Sequence, residues 1–396
     1  MGANLQDCLA DHRAGRVQVS GTPDLLTIES TAICNLRCVM CPQSIGAVKR
    51  PKHMHEDLGA RLAPFMARAG AIQLHGIGEP MTSPAFWRLL DMLPEGPIGD
   101  VNSNFTVLDD ARIEKLVGSR LGTIHVSLDA ARAQTYRRIR NFDFDTVLRN
   151  IRTFIARRQA RGRCTPRLQI NMTLMRANIE EVVEFVELAQ RLGVDGVEMW
   201  QLNVLGPAEA GKYHHERDGW VFEYAEQKLS HHAALSDEWI HKAAARAREL
   251  GVSLNLPSPD REIMQEEAAV SSPVEAGARR AHRTTRDCQN PWRWLMITSN
   301  GDARPCCYAG GNVGNLERES AAEIWNGARM QRLRRELLAN KVPSVCRGAA
   351  CEYVKNSRQP LLITIAHSAW QWTGALLWHK APRLYRRLRD LKRRLL

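Results

Sequence analysis

The sequence predicts an α/β protein: a partial, six-stranded (β/α)6 TIM-like barrel, then a small α+β domain of a β-hairpin and helix, then a basic helical tail. Three observations predict it. Short β-rich runs alternate with amphipathic helices from residue 25 to 203, a rhythm that implies parallel strands joined by right-handed crossovers. The alternation yields six units, too few for a closed eightfold barrel. A later run, starting at Cys288, places two β-prone stretches on either side of an Asn-Gly turn and follows them with a helix.

A chain of 396 residues has room for one large domain and one smaller one. Residues 1–24 form a short helical lead-in carrying one stray cysteine, Cys8. Strands are expected at 25–29, 71–75, 100–103, 123–127, 167–172 and 196–201, and helices at 58–69, 84–93, 109–117, 144–160 and 179–192. The barrel domain is placed at 25–230. A helix at 237–250 and a polar stretch rich in Ser, Pro and Gly make 231–287 a helix and linker. The hairpin-and-helix domain occupies 288–355 and the tail 356–396. His214, His215, His231 and His232 are read as a solvated helical surface, because adjacent histidines point in different directions on a helix.

Composition bounds the function. The chain is 44% hydrophobic and 25% charged, as soluble globular proteins are. Its first twenty residues carry charges and no apolar run, so no secretory signal is expected. Ten cysteines then argue for a reducing, cytoplasmic setting and for metal ligation over disulfides. The net charge of +12 sits mostly at one end. Residues 355–396 hold ten Lys/Arg against Asp390 alone, so the body is only slightly basic and nucleic acid is a disfavoured partner. Tryptophans beside this basic run fit a segment lying on a membrane surface, at the inner face, while the apolar part at 361–378 is too polar and short to span.

Two cysteine groups carry the chemistry. Cys34-Asn-Leu-Arg-Cys38-Val-Met-Cys41 follows the first strand. Three thiolates in eight residues can hold three irons of a 4Fe–4S cube and leave the fourth open, whereas zinc sites need four ligands and no fourth stands close by. The second group, Cys288, Cys306, Cys346 and Cys351, suits either a fully ligated Fe–S cluster or a structural zinc.

Cys34-x3-Cys38-x2-Cys41 after a strand, with Gly76-Ile-Gly78-Glu79-Pro80 after the next, resembles the radical S-adenosylmethionine (SAM) enzymes. Cys288-x12-Gly301-x4-Cys306 is similar to the opening of a SPASM/twitch auxiliary-cluster domain. The resemblance implies two cofactor clusters and SAM. Cys34, Cys38 and Cys41 would hold the SAM-binding 4Fe–4S cluster, and SAM would chelate its open iron. Met40, where the family usually has an aromatic, would pack near the adenine. Gly76 and Gly78 would let the backbone approach SAM, and Glu79 would accept from its ammonium. Asn104, in Asn102-Ser-Asn104, and Ser127, in Ser127-Leu-Asp129, match the family's strand-end motifs. Arg140 falls where the family places an arginine for the SAM carboxylate, with Arg137 and Arg138 nearby. Only Cys346 and Cys351 follow the hairpin, so one auxiliary 4Fe–4S cluster is implied, with Cys288 and Cys306, leaving Cys307 spare.

The implied activity is reductive cleavage of SAM to a 5′-deoxyadenosyl radical that abstracts hydrogen from a substrate C–H. A two-electron oxidation of a small or sugar-like molecule is the leading expectation, with the auxiliary cluster taking an electron and a flavodoxin or ferredoxin as reductant. Only 24 residues precede the first strand, leaving no leader-peptide-binding segment there, which favours a small molecule over a peptide. The alternatives are an epimerase, with Cys307 or Cys164 as hydrogen donor, a peptide maturase, and, from a different class, a non-enzymatic Fe–S or zinc protein that binds nucleic acid.

Overall fold

A computed structural model describes residues 3–96, 99–202, 213–256, 284–347 and 351–355. The six expected parallel strands form in order: β1 (Leu25–Ile28), β2 (Ala71–Gln73), β3 (Gly99–Ser103), β4 (Leu121–Ser127), β5 (Arg167–Leu174) and β6 (Gly196–Gln201). Two strands extend the sheet at its edges. β9 (Leu254–Asn255) adds in parallel to β6, and β10 (Trp294–Ile297) adds in parallel to β1. The expected hairpin of the second domain, β10 with β11 (Asp302–Arg304), thus joins the barrel's own sheet, and β12 (Gly314–Asn315) closes that edge. The ten strands run β12-β11-β10-β1-β2-β3-β4-β5-β6-β9, so one sheet continues across the boundary expected at 288.

The helices follow local chemistry. Asp143 caps the helix Phe144–Ala160 by accepting from Thr146 N, and its apolar stripe, Val147, Ile151 and Phe154, is buried. The single helix expected at 58–69 is instead two, Glu56–Ala60 and Ala63–Met66. Pro64 has no N–H to continue the first and sits in the opening turn of the second. The helix expected at 179–192 starts as a 3-10 turn, Ile179–Glu181, and becomes α-helical at Val182–Leu192.

The region of paired histidines is a correction. His214 and His215 lie on a β-hairpin, β7 (His214–Arg217) with β8 (Trp220–Glu223), and not on a helix. The turn is Asp218-Gly219, both at positive φ, the pair that a two-residue hairpin turn demands. The basic tail and most of the expected linker lie outside the described residues.

The two faces of the sheet differ in kind. Toward the helices it presents Leu26, Ile28, Ile72, Val101, Ile124, Val126, Leu168, Ile170, Met172, Val197, Leu295 and Ile297, all buried in one continuous core. The alternate residues are Thr27, Gln73, Asn102, His125, Ser127, Gln169, Asn171 and Glu198, and the strand register sets them side by side. A parallel sheet covered on both faces reads as a near-continuous apolar run. This one alternates, so its inner face is kept polar. Hydrogen bonds run along it, from Trp294 Nε1 to Thr27 Oγ1 (2.9 Å) and from Thr27 Oγ1 to Gln73 Oε1 (2.9 Å).

Adjacent residues on β5 should therefore respond differently. Ile170→Ala is expected to lower unfolding stability by about 2–5 kcal/mol, and Gln169→Ala by no more than about 0.5 kcal/mol, measured by denaturant titration.

Candidate active site

The loop leaving β1 carries Cys34, Cys38 and Cys41 to the carboxyl end of the sheet, where such folds place their working residues. Cys38 is buried and the other two are half-buried. Burial pushes all three thiols up, Cys38 to about 12, and Arg140 pulls each back down. Their titrations are linked, since the charge of Cys41 raises both Cys34 and Cys38. Asn104 Nδ2 lies 3.8 Å from Cys34 Sγ and Arg140 Nη1 lies 3.6 Å from Cys38 Sγ. Buried, mutually repelling thiols with N–H donors aimed at sulfur fit a cationic Fe–S centre, which would hold them as thiolates.

Arg140 is itself fixed. Asp129, at positive φ just beyond β4 and almost fully buried, pairs with its Nε (2.7 Å) and Nη2. Burial opposes the guanidinium charge, but Asp129 and Cys38 outweigh it and raise its pKa. The residue expected to receive a SAM carboxylate is thus bound to Asp129 and turned toward Cys38. Ser127 stands half-buried at the end of β4, beside Asn171 in register.

The glycines of the motif are closely approached by the chain itself. A Cβ on Gly76 would lie 2.3 Å from Glu29 Cγ and Oε2, and one on Gly78 would lie 2.3 Å from Thr31 O and 2.6 Å from Ile33 O. These glycines admit the chain's own β1 exit, not a ligand, on the side where a Cβ would point. Glu79 is buried, and its carboxylate accepts from Met81 N (3.1 Å), Ser103 Oγ (2.8 Å) and Asn104 N (2.7 Å). Burial raises its pKa while these bonds lower it. Its carboxylate braces β2 against β3 and has three donors from the chain itself.

Met40, beside the cluster loop, packs against a small apolar group that includes Val39, Ile139, Tyr213 and Phe222. This second small core seats the β7–β8 hairpin on the loop. Arg217 donates to Arg138 O (2.9 Å) and Arg37 O (2.9 Å), and His215 Nε2 lies 3.0 Å from Ser44 Oγ. Sequence reasoning missed this cover, although Asp218-Gly219 between alternating residues is a hairpin signal.

The second group also comes together. Burial pushes Cys288 and Cys346 up to about 12 and Cys306 upward, and the charge of Cys351 raises all three. Cys306 is buried and Cys307 exposed. Among the described residues no three Cys, His, Asp or Glu side chains close on one ion. Cys288 precedes β10 and Cys306 follows β11, so both lie at the hairpin's open end. With β10 parallel to β1, that end is opposite the one bearing Cys34. Four strand residues, roughly 13 Å, separate the two ends.

Between the ends lies the polar inner face. His125 Nδ1 is 3.1 Å from Glu198 Oε2, and Asn255 Nδ2 donates to Glu198 Oε1 (3.0 Å). His75 Nδ1 and Asp100 Oδ1 are 3.5 Å apart. Asn171 is 7% exposed, and its Oδ1 has no hydrogen-bond partner. The signal for these residues was the alternation Thr123-His125-Ser127 and Gln169-Asn171-Thr173.

The sequence matches the Radical SAM superfamily over residues 28–189 and the SPASM iron–sulfur cluster-binding domain over residues 288–352. The chain belongs to the radical SAM superfamily and carries a C-terminal SPASM domain. A SAM-binding 4Fe–4S cluster and auxiliary Fe–S ligation follow from these two domains. Among its relatives is an AdoMet-dependent heme synthase of Methanosarcina barkeri, 24% identical over 362 residues, which cover 86% of this chain and 91% of that protein. The mycofactocin maturase MftC of Mycobacterium tuberculosis is 29% identical over 184 residues, 43% of each chain. The fold resembles Streptococcus suis SuiB bound to the precursor peptide SuiA, with a TM-score of 0.59 at 15% identity over 89% of this chain and 74% of that one. It also resembles anSMEcpe bound to AdoMet and a peptide, with a TM-score of 0.54 at 13% identity over 84% and 87%. No helix among the described residues is long and apolar enough to cross a membrane.

Ligand assignments at the second site are tested by iron content. Wild-type chain reconstituted anaerobically should hold about eight irons, as two four-iron clusters require. Cys306→Ala and Cys351→Ala should each retain about four, and Cys307→Ala about eight, by iron and sulfide analysis.

Proposed function

We propose that this radical SAM protein performs a two-electron oxidation of a C–H bond in a small, polar, sugar-like molecule held on the inner face of the barrel. When bound, SAM and the reduced first cluster supply a 5′-deoxyadenosyl radical, and the oxidised auxiliary cluster supplies an acceptor for one electron. Cys34, Cys38 and Cys41 hold the first cluster, and Cys288, Cys306, Cys346 and Cys351 the second. SAM is lined by Met40, the backbone of the Gly76–Glu79 loop, Asn104 and Ser127, with Arg140 beside the thiolates.

The observation that carries the reading is the polar face between the two cysteine sites. Asn171 offers an unpaired acceptor to a substrate hydroxyl, and His125, set beside Glu198, takes the proton. The atoms would balance with 5′-deoxyadenosyl as the hydrogen-atom acceptor, the cluster that Cys288, Cys306, Cys346 and Cys351 would hold as the one-electron acceptor, and His125 as the acceptor of the proton on the neighbouring oxygen. Glu198 Oε2 stands 3.1 Å from Nδ1 of that ring. The match along 91% of a heme synthase supports a small-molecule substrate. The match to part of a maturase keeps a peptide as the second reading. A flavodoxin- or ferredoxin-type reductant delivers the initiating electron.

Candidate alcohols deuterated at the carbinol carbon test the reaction. The expected result is 5′-deoxyadenosine heavier by one mass unit and a product lighter by two hydrogens. Label transfer from a peptide alone would move the assignment to a maturase. A product with solvent hydrogen at an inverted centre would make it an epimerase.

With such a substrate, His125→Ala should lower product formation by roughly a hundredfold or more while SAM is still cleaved to 5′-deoxyadenosine. Equal loss of both would remove His125 from the proton-accepting role.

A further inference from the structure

Glu29 follows β1 directly and is 5% exposed. Its backbone N–H donates to Ile297 O (2.8 Å), extending the pairing of β1 with β10. Its carboxylate then points in two directions. Oε2 accepts from Ile77 N (3.0 Å), at the centre of the glycine loop. Oε1 accepts from Ser299 N (3.1 Å) and Ser299 Oγ (3.0 Å), in the turn between β10 and β11. Gly76 is where the loop closes over this side chain, and any Cβ there would overlap it.

We propose that Glu29 is a positioning residue for SAM binding, through which the turn of the SPASM hairpin sets the shape of the glycine loop. The inference rests on that loop lining the SAM site, as proposed above. Its other supports all come from the barrel: Glu79 N donates to Ile33 O (2.9 Å), Gln43 Nε2 donates to Ile77 O (3.3 Å), and the Glu79 carboxylate reaches β3. Among the described residues Glu29 joins the loop to the second domain through hydrogen bonds to both. Both its oxygens are committed, so movement of Ser299 pulls on Ile77. The auxiliary domain, besides carrying thiols, thereby helps to hold the first site in a shape that receives SAM.

The isosteric variant Glu29→Gln keeps the volume but offers one acceptor oxygen. Its amide nitrogen then meets the N–H of Ile77 or of Ser299, donor against donor, and one side of the clamp opens. Ser299→Ala removes one bond from the far side without touching the barrel. Gly78→Ala, driven into Thr31 O, deforms the loop directly and serves as the control. Each is made in the full chain with both clusters reconstituted. SAM affinity is measured by titration, and the EPR spectrum of the reduced first cluster is recorded as SAM is added.

Glu29→Gln should weaken SAM binding about tenfold and Ser299→Ala about threefold, with about eight irons retained and the SAM-dependent EPR change displaced to higher SAM. Unchanged affinity in Glu29→Gln overturns the proposal. Weakening in Glu29→Gln with none in Ser299→Ala overturns its link to the second domain. Should Glu29→Gln lose its iron, Ser299→Ala decides alone. Gly78→Ala separates the two readings: if it binds SAM normally, the loop is not the SAM site, and if it alone fails, only the Glu29 clamp is lost.

Discussion

The organisation of the site depends on one arrangement, buried carboxylates that accept backbone N–H groups where strands end. Glu29 does this for Ile77 and Ser299, Glu79 for Met81 and Asn104, Asp129 for Thr173, and Glu181 for Ala131 and Arg132. A sheet with a polar inner face has only its outer face to bury, so its loops cannot be held by apolar contact alone. Charge-assisted bonds to buried carboxylates, each worth about 1.5–3 kcal/mol, do that work. Leaving one such charge without its donors is costly, which makes the loops discrete in shape and not adjustable.

The cluster loop is secured differently. Its own backbone turns tightly, with Cys41 N bonded to Cys38 O (3.0 Å) and Val39 N to Ile139 O (3.0 Å). Above it the β7–β8 hairpin supplies Tyr213 and Phe222 as an apolar seat and Arg217 as a strap. Arg140 and Arg217 both bring positive charge toward Cys38, and the Cys38 charge acts back on each. A thiolate-ligated cluster in such a setting is easier to reduce than one in an apolar pocket, because its added electron meets fixed cations.

The two cysteine sites stand at opposite ends of the β1–β10 pair, and the polar inner face runs along the same sheet. The continuous sheet matters here. Were the second domain tethered by a loop alone, the distance between the sites would vary with its motion. Parallel pairing of Leu25 through Ile28 with Trp294 through Ile297 removes that freedom.

The cysteine spacings, the strand-and-helix rhythm and the hairpin around Asn300-Gly301 were legible because each is local: ligand spacing, periodicity and turn chemistry act within a dozen residues. Long, strongly periodic elements such as Phe144–Ala160 were legible to the residue, while the helix at Pro64 and the Asp218-Gly219 hairpin needed closer attention to turn chemistry. The sequence by itself determined the class of chemistry, six strands of the barrel and the two thiol sets. Tertiary structure decided what the motif residues touch. Gly76 answers to Glu29, 47 positions earlier, Glu79 to Asn104, and His125 to Glu198 across β5. Such pairings depend on which strands become neighbours and which face each turns inward, and no pattern within a single strand records that.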